Sequence, residues 1–115
     1  PAFNSDGSKI AFFSDESGTE QLYISEVRDN AERIRLTENL DGWYNDPAWS
    51  PNDGMIAFSD EKLALYLYDF AKKKTILIDR SNVREIYNYS WSPCSRYLSY
   101  SKHSDNGFSD IFIFI

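Results

Sequence analysis

The chain has 115 residues, 17% of them aromatic, with one cysteine, one histidine and a formal net charge of -6. Acidity without a Lys/Arg cluster excludes a nucleic-acid-binding class, because phosphate contacts need grouped bases. A single Cys94 excludes an intrachain disulfide scaffold, and no apolar run approaches the roughly 20 residues of a membrane span. The compartment, cytoplasmic or periplasmic, stays open.

In chain order, one phrase is written three times. It opens as Pro1-Ala2-Phe3-Asn4-Ser5-Asp6-Gly7-Ser8-Lys9-Ile10-Ala11-Phe12 and recurs as Pro47-Ala48-Trp49-Ser50-Pro51-Asn52-Asp53-Gly54-Met55-Ile56-Ala57-Phe58. It returns once more as Tyr89-Ser90-Trp91-Ser92-Pro93-Cys94-Ser95-Arg96-Tyr97-Leu98-Ser99-Tyr100. Each aromatic (Phe3, Trp49, Trp91) precedes its apolar partner (Ile10, Ile56, Leu98) by a constant interval, and the copies recur at the spacing of propeller blades. Helix-period stripes are not apparent, and the Tyr, Phe and Trp content suits pleated, half-buried surfaces.

The first copy predicts a stub of strand A, then B over Lys9–Phe13, C over Gln21–Val27 and D over Arg33–Thr37. In the second, A runs about Asn45–Ser50, B Met55–Ser59, C Ala64–Phe70 and D Thr75–Asp79. Pro51 and Gly54 are expected to supply the fixed and the positive φ of the A–B turn. Lys72-Lys73-Lys74 reads as the solvated tip of the C–D hairpin. The third copy predicts A over Tyr87–Ser92, B over Arg96–Ser101 and C over Asp110–Ile115, without D.

Short hairpins joining four antiparallel strands make a meander, so the expected fold is all-β: about two and three-quarter blades of a β-propeller. The blades are assigned to 1–43, 44–85 and 86–115 of a single partial domain. Repeat units bury their apolar faces on neighbours. A first copy beginning at Pro1 and a chain ending in Ile111-Phe112-Ile113-Phe114-Ile115 therefore point to a fragment of a larger propeller, prone to associate when isolated.

Loops sort by end in a meander. The B–C and D–A connections gather Asp15, Glu16, Glu20, Glu38, Asp41, Asp46, Asp60, Glu61, Glu85, Asp105 and Asp110, with fewer bases. The opposite end gathers Lys9, Arg28, Arg33, Arg35, Lys72, Lys73, Lys74 and Arg96. The expectation is a chain polarised along the propeller axis, its acidic mouth either a steering field or merely solvated loops.

The Phe3/Trp49/Trp91 position is either a wedge between blades or a stacking platform for a ligand. Asp46 and Asn88 stand at one repeat position, three residues before the Trp, where a side chain either reaches a central channel or fixes the local backbone. Tyr44, Asn45, Tyr87 and Tyr89 flank that entrance and complete the channel or ligand-face candidates. His103 falls in a polar, Gly-containing loop with nothing to orient it, and no Gly-x-Ser-x-Gly elbow is present. Pairs such as Asp15-Glu16 and Asp60-Glu61 are placed on hairpin tips, where water keeps them ionised. No catalytic residue, cofactor or metal site is assigned.

The run Pro47 to Phe58, preceded by Ile34-Arg35-Leu36-Thr37 and Gly42 and followed by Leu65-Tyr66-Leu67-Tyr68-Asp69, resembles the WD-like repeat of the tricorn protease and TolB families. The first copy fits it from Pro1 to Thr37. The third departs, with Cys94-Ser95-Arg96 in place of Asp-Gly, and Asp79 replaces the Thr that follows strand D. Phe-Phe-Ser-Asp-Glu-Ser-Gly and Trp-Tyr-Asn-Asp-Pro-Ala-Trp look most like the tricorn-type phrases. That resemblance implies the propeller of a serine peptidase, guiding or filtering peptides toward a catalytic domain that maps to none of these residues. Its rivals are a TolB-like propeller that binds protein partners and the propeller of a prolyl-oligopeptidase-like hydrolase.

Overall fold

The computed structural model describes residues 1–114 except 39, 41, 43, 61–63, 81–86 and 104–108, with backbone alone at 45, 46, 87, 88, 102, 103 and 109–114. Among the described residues there are eleven strands and no helix. They are β1 (Ala2–Phe3), β2 (Lys9–Ser14), β3 (Gln21–Glu26), β4 (Arg33–Arg35), β5 (Tyr44–Trp49), β6 (Met55–Asp60), β7 (Ala64–Asp69), β8 (Lys74–Arg80), β9 (Tyr87–Trp91), β10 (Leu98–His103) and β11 (Ser109–Phe114). All pairings are antiparallel between chain neighbours, giving meander blades β1–β4, β5–β8 and β9–β11.

The alternation of strand side chains gives each blade two unlike faces. The leading face of the second blade is aromatic: Trp49, Ile56, Phe58, Tyr66 and Tyr68. It packs on the trailing face of the first, where Ala11, Leu22 and Ile24 are buried and Phe13 is half-buried. The second blade's trailing residues Ala57 and Leu65 in turn receive Leu98 and Tyr100 of the third. Phe58, Leu22, Ile56, Leu65 and Leu98 are fully buried. Burying each such side chain stabilises the fold by about 1.5–3 kcal/mol.

The repeated phrase owes its Ser and Trp to this packing. Trp49 Nε1 donates to the Ala2 carbonyl at 3.0 Å, and Trp91 Nε1 donates to the Ala48 carbonyl, also at 3.0 Å. Ala2 and Ala48 occupy the same repeat position, so each indole clips its blade to the innermost strand of the blade before. A buried indole N–H requires such an acceptor. The wedge reading thus describes Trp49 and Trp91, whereas Phe3, which has no N–H, is 61% exposed.

The residue after each aromatic closes the A–B hairpin. Asn4 Oδ1 accepts from Lys9 N–H (2.9 Å), Ser50 Oγ from Met55 N–H (3.0 Å) and Ser92 Oγ from Tyr97 N–H (3.1 Å).

Five expectations are corrected. Positive φ falls not on Gly54 but on Asp53 (60°), Ser95 (63°) and Gly7 (75°), one equivalent position in three turns. At Gly54 the constraint is closeness instead: a Cβ there would stand 3.1 Å from Asn52 Oδ1, the atom that accepts the Gly54 N–H, so the Asn52 side chain would have to shift. Strand D of the first blade stops at Arg35, because the Thr37 side chain takes over the pairing, its Oγ1 accepting from Leu22 N–H at 3.0 Å.

Asp60 is no hairpin tip. It ends β6 at 5% exposure, since its carboxylate is consumed by the chain that follows. His103, expected in a loop, has its backbone on β10 paired with Ser109.

The sorting of charge by ends also breaks down in the first blade. Arg33 pairs with Glu16 at 2.8 Å and Arg35 with Glu38 at 3.4 Å, each linking residues assigned to opposite ends. The guanidinium of Arg33 also lies 5.3 Å above the Phe12 ring, so it lies back along the sheet.

Candidate functional site

Strand A is innermost in each blade: the closest approaches of the first two blades bring β5 to β1 and β2. Along β5, Asn45 pairs with Ser59 but Ala48 pairs with Ala57, leaving one extra residue between them. Along β9, Tyr87 pairs with Ser101 and Ser90 with Ser99, the same offset at the same repeat position. Two adjoining inner strands therefore carry one β-bulge each, at Asp46-Pro47 and at Asn88-Tyr89.

Pro47 is compatible with the strand for this reason. Proline cannot donate to a ladder and is confined to edges and bulges, and β5 is both. Bulges bend a strand and re-aim its side chains, so the inner strands turn at the positions of Asp46 and Asn88.

Of the predicted site residues, Asn45, Asp46, Tyr87 and Asn88 are placed by backbone alone. Tyr44 is 7% exposed, its ring centroid 5.8 Å from those of Phe13 and Phe58 and 5.9 Å from that of Tyr66. Its N–H donates to Glu20 Oε1 at 2.6 Å, tying β5 to the B–C connection of the first blade. Tyr44 thus belongs to the packing between blades. Tyr89 is half-buried against the second cluster, with its hydroxyl 3.5 Å from Ser59 Oγ.

Around these strands lies a polar set that motif reading missed. Asp60 Oδ1 accepts the Ala64 N–H at 2.9 Å, and Asp60 Oδ2 accepts the Tyr66 hydroxyl at 3.0 Å. Burial, and then the Asp60 carboxylate, push the Tyr66 phenol above its ordinary range. Across the next boundary, Tyr100 donates to Asp79 Oδ2 at 2.9 Å. Burial foremost, and then Asp79, push the Tyr100 phenol up to about 12. Tyr100 holds the place of Phe58 and Phe12, and Asp79 the place of a Thr, so two paired departures from the repeat were the available signal.

These phenols are hydrogen-bond donors at neutral pH, held protonated by their surroundings, and neither is a proton acceptor there. Among the described residues no group of three or more His, Cys, Asp or Glu could hold a metal ion. Every buried side-chain nitrogen or oxygen among them has a partner. What the geometry offers is a wall of inner strands with two equivalent bulges, backed by a tyrosine–carboxylate network.

No protein-family model matches the chain, and no curated protein matches it. Solved structures do. The tricorn protease matches 96% of this chain at 22% identity and a TM-score of 0.75, although the chain spans only 11% of that protein. TolB from Acinetobacter baumannii matches 95% at 22% identity and a TM-score of 0.70, the chain covering 28% of its length. An oligogalacturonate lyase from Vibrio parahaemolyticus matches 85% at 20% identity and a TM-score of 0.64, with 26% of its length covered. The likeness is one of fold: the chain is a stretch of β-propeller, similar in fold to the tricorn protease and TolB. Three neighbours with three different names show that this fold does not dictate the chemistry.

Proposed function

We propose that these blades form part of the wall of a passage that guides or filters peptides toward a catalytic domain outside this chain. The observation that carries the reading is the repeated bulge, which sets Asp46 and Asn88 at equivalent points of two adjoining inner strands. A row of carboxylate and amide groups along a channel suits the N–H groups and amino termini of extended peptides. The tricorn match over nearly the whole chain supports the same reading.

The test uses the full-length protein. Asp46→Ala with Asn88→Ala is expected to weaken peptide binding about tenfold, the worth of one or two hydrogen bonds involving a charged group, with Tm unchanged. Unaltered peptide affinity with a lowered Tm would show instead that both positions only fix the local backbone.

A second reading, a protein-binding propeller like TolB, draws on the outer strands, where Ile34 is 52% and Leu77 51% exposed. If it holds, Leu77→Lys abolishes partner capture while the inner-strand variants leave it intact.

A further inference from the structure

The boundary between the first and second blades is left open at its outer rim. β4 stops at Arg35 after three residues whereas β8 runs for seven, so the outer part of the second blade's leading face extends past the strand beside it. Beyond Arg35 the chain turns inward and is fixed there. Leu36 N–H donates to the Leu22 carbonyl at 2.8 Å, while Gln21, 1% exposed, accepts from the Thr37 hydroxyl at 2.7 Å and donates to the Leu40 carbonyl at 3.0 Å. A cavity of about 570 Å³ results, with Arg35, Leu36 and Leu40 on one side and Tyr68, Lys73 and Thr75 on the other. Its size is that of a ligand site, and both walls are four-stranded blades held together within this chain.

Each wall supplies one cation. Among the described residues the Arg35 guanidinium has a single ion pair, the long 3.4 Å contact with Glu38, and Lys73 has none. Lys73 is also held at a positive φ of 53°. Three other non-glycine residues among those described share that region. Asn30 is a residue type that tolerates it, and Asp53 and Ser95 hold links between blades. Lys73 makes no such link among the described residues. Of the turn lysines 72–74 it alone lines the cavity. A strained residue without structural compensation points to a role in binding.

We propose that this cleft binds an acidic, extended segment of a protein partner. One carboxylate is held between Arg35 and Lys73, and the apolar side chains beside it lie on Leu36, Leu40 and Tyr68. Bonds from guanidinium and ammonium to a carboxylate are charge-assisted, and a half-buried cleft strengthens them. The aromatic and aliphatic floor favours a peptide over a lone inorganic anion, since apolar lining selects apolar surface. The site lies at the outer rim of the blades, apart from the inner strands β5 and β9 and the passage proposed for them.

Fluorescence anisotropy on the full-length protein tests this. The probe is a dye-labelled hexapeptide alternating glutamate and leucine, capped so that it offers no amino terminus to the inner strands. Replacing its glutamates by glutamine should weaken binding about ten-fold, as should Lys73→Gly or Arg35→Gln in the protein. Lys73→Gly should leave Tm unchanged or raise it, because glycine accepts the positive φ without strain. Lys72→Ala, off the cavity, should change affinity by less than about two-fold.

Equal affinity for the glutamate and glutamine peptides, no binding of either, or a loss through Lys72→Ala as large as through Lys73→Gly would each overturn the proposal. So would displacement of the probe by inorganic phosphate as readily as by unlabelled peptide, which would make this a plain anion site. Dimers of the free protein that Lys73→Gly disperses would make a second copy the occupant, and would overturn it too.

Discussion

The boundary between the first and second blades and that between the second and third share one clip and little else. At the first, Phe13, Tyr44, Phe58 and Tyr66 form a cluster of edge-on and stacked rings, with centroids 5.4–5.9 Å apart. At the second, Ala57, Leu65 and Leu98 are joined by hydroxyls and a carboxylate: Tyr100 on Asp79, Ser59 beside Tyr89. The repeat therefore fixes where blades meet, while the substitutions at each copy decide what holds them. A phenol meets a carboxylate near both boundaries, but the Tyr66–Asp60 bond lies within the second blade whereas the Tyr100–Asp79 bond crosses from the third blade to the second. Only at the second boundary, then, does the contact between blades itself carry a titration.

The largest effect expected of this contrast is at Phe58. Phe58→Ala removes a fully buried ring and three ring contacts, at a cost of about 3–5 kcal/mol plus the pairwise ring terms. Leu98→Ala, at the place of Ile56 in the next copy and equally buried at the second boundary, should cost less. Equal shifts in urea midpoint would erase the distinction between the two boundaries.

Next comes Tyr100→Phe, expected to cost about 1–2 kcal/mol at neutral pH through loss of its bond to Asp79. The phenol titrates at about 12 in the folded chain, against an ordinary value near 10. The folded state thus holds the proton more tightly. Its contribution is complete below about pH 10 and is lost as pH rises through the folded value. In the Phe variant that alkaline loss should shrink, which denaturation midpoints on either side of pH 10 will reveal. An unchanged alkaline slope would assign the pH dependence to other groups.

The smallest effect distinguishes the two A–B turns that carry a non-glycine residue at positive φ. Asp53 Oδ1 accepts the Ser5 N–H at 3.0 Å, and Asp53 Oδ2 accepts the Ser5 hydroxyl at 3.0 Å and the Asn4 amide at 3.2 Å. Ser95 Oγ accepts only the Asn52 N–H, at 2.9 Å, again from the blade before. In both, backbone strain of about 1 kcal/mol is offset by a link between blades. Glycine removes strain and link together. Asp53→Gly, giving up three bonds, should therefore destabilise by about 0.5–1 kcal/mol, whereas Ser95→Gly should be neutral or slightly stabilising. Thermal unfolding of the pair in parallel gives the two signs.

Much of this was legible in the residues. The interval from Phe3, Trp49 and Trp91 to Ile10, Ile56 and Leu98 located the A–B hairpins, and the strand ends fell within a few residues of expectation. The site was less legible. Pro47 inside a predicted strand was a sign of a bulge that periodicity alone does not convey, because a bulge appears only when two strands are set in register. Asp60 looked like a solvated loop acid since its neighbours are charged. Its burial depends on Ala64 and Tyr66 returning along the adjacent strand to use both oxygens.

By itself, then, the sequence determined the repeat, the strand order and the all-β class, since these follow from local alternation and turn chemistry recurring at a fixed spacing. Only the tertiary structure decided which face of each blade meets which, that the indoles clip to the carbonyls of Ala2 and Ala48, and that Asp53 and Ser95 carry the strain and the links between turns. Those features are contacts between residues more than forty positions apart, and a hydrogen bond across such a distance exists only once the blades have been brought side by side.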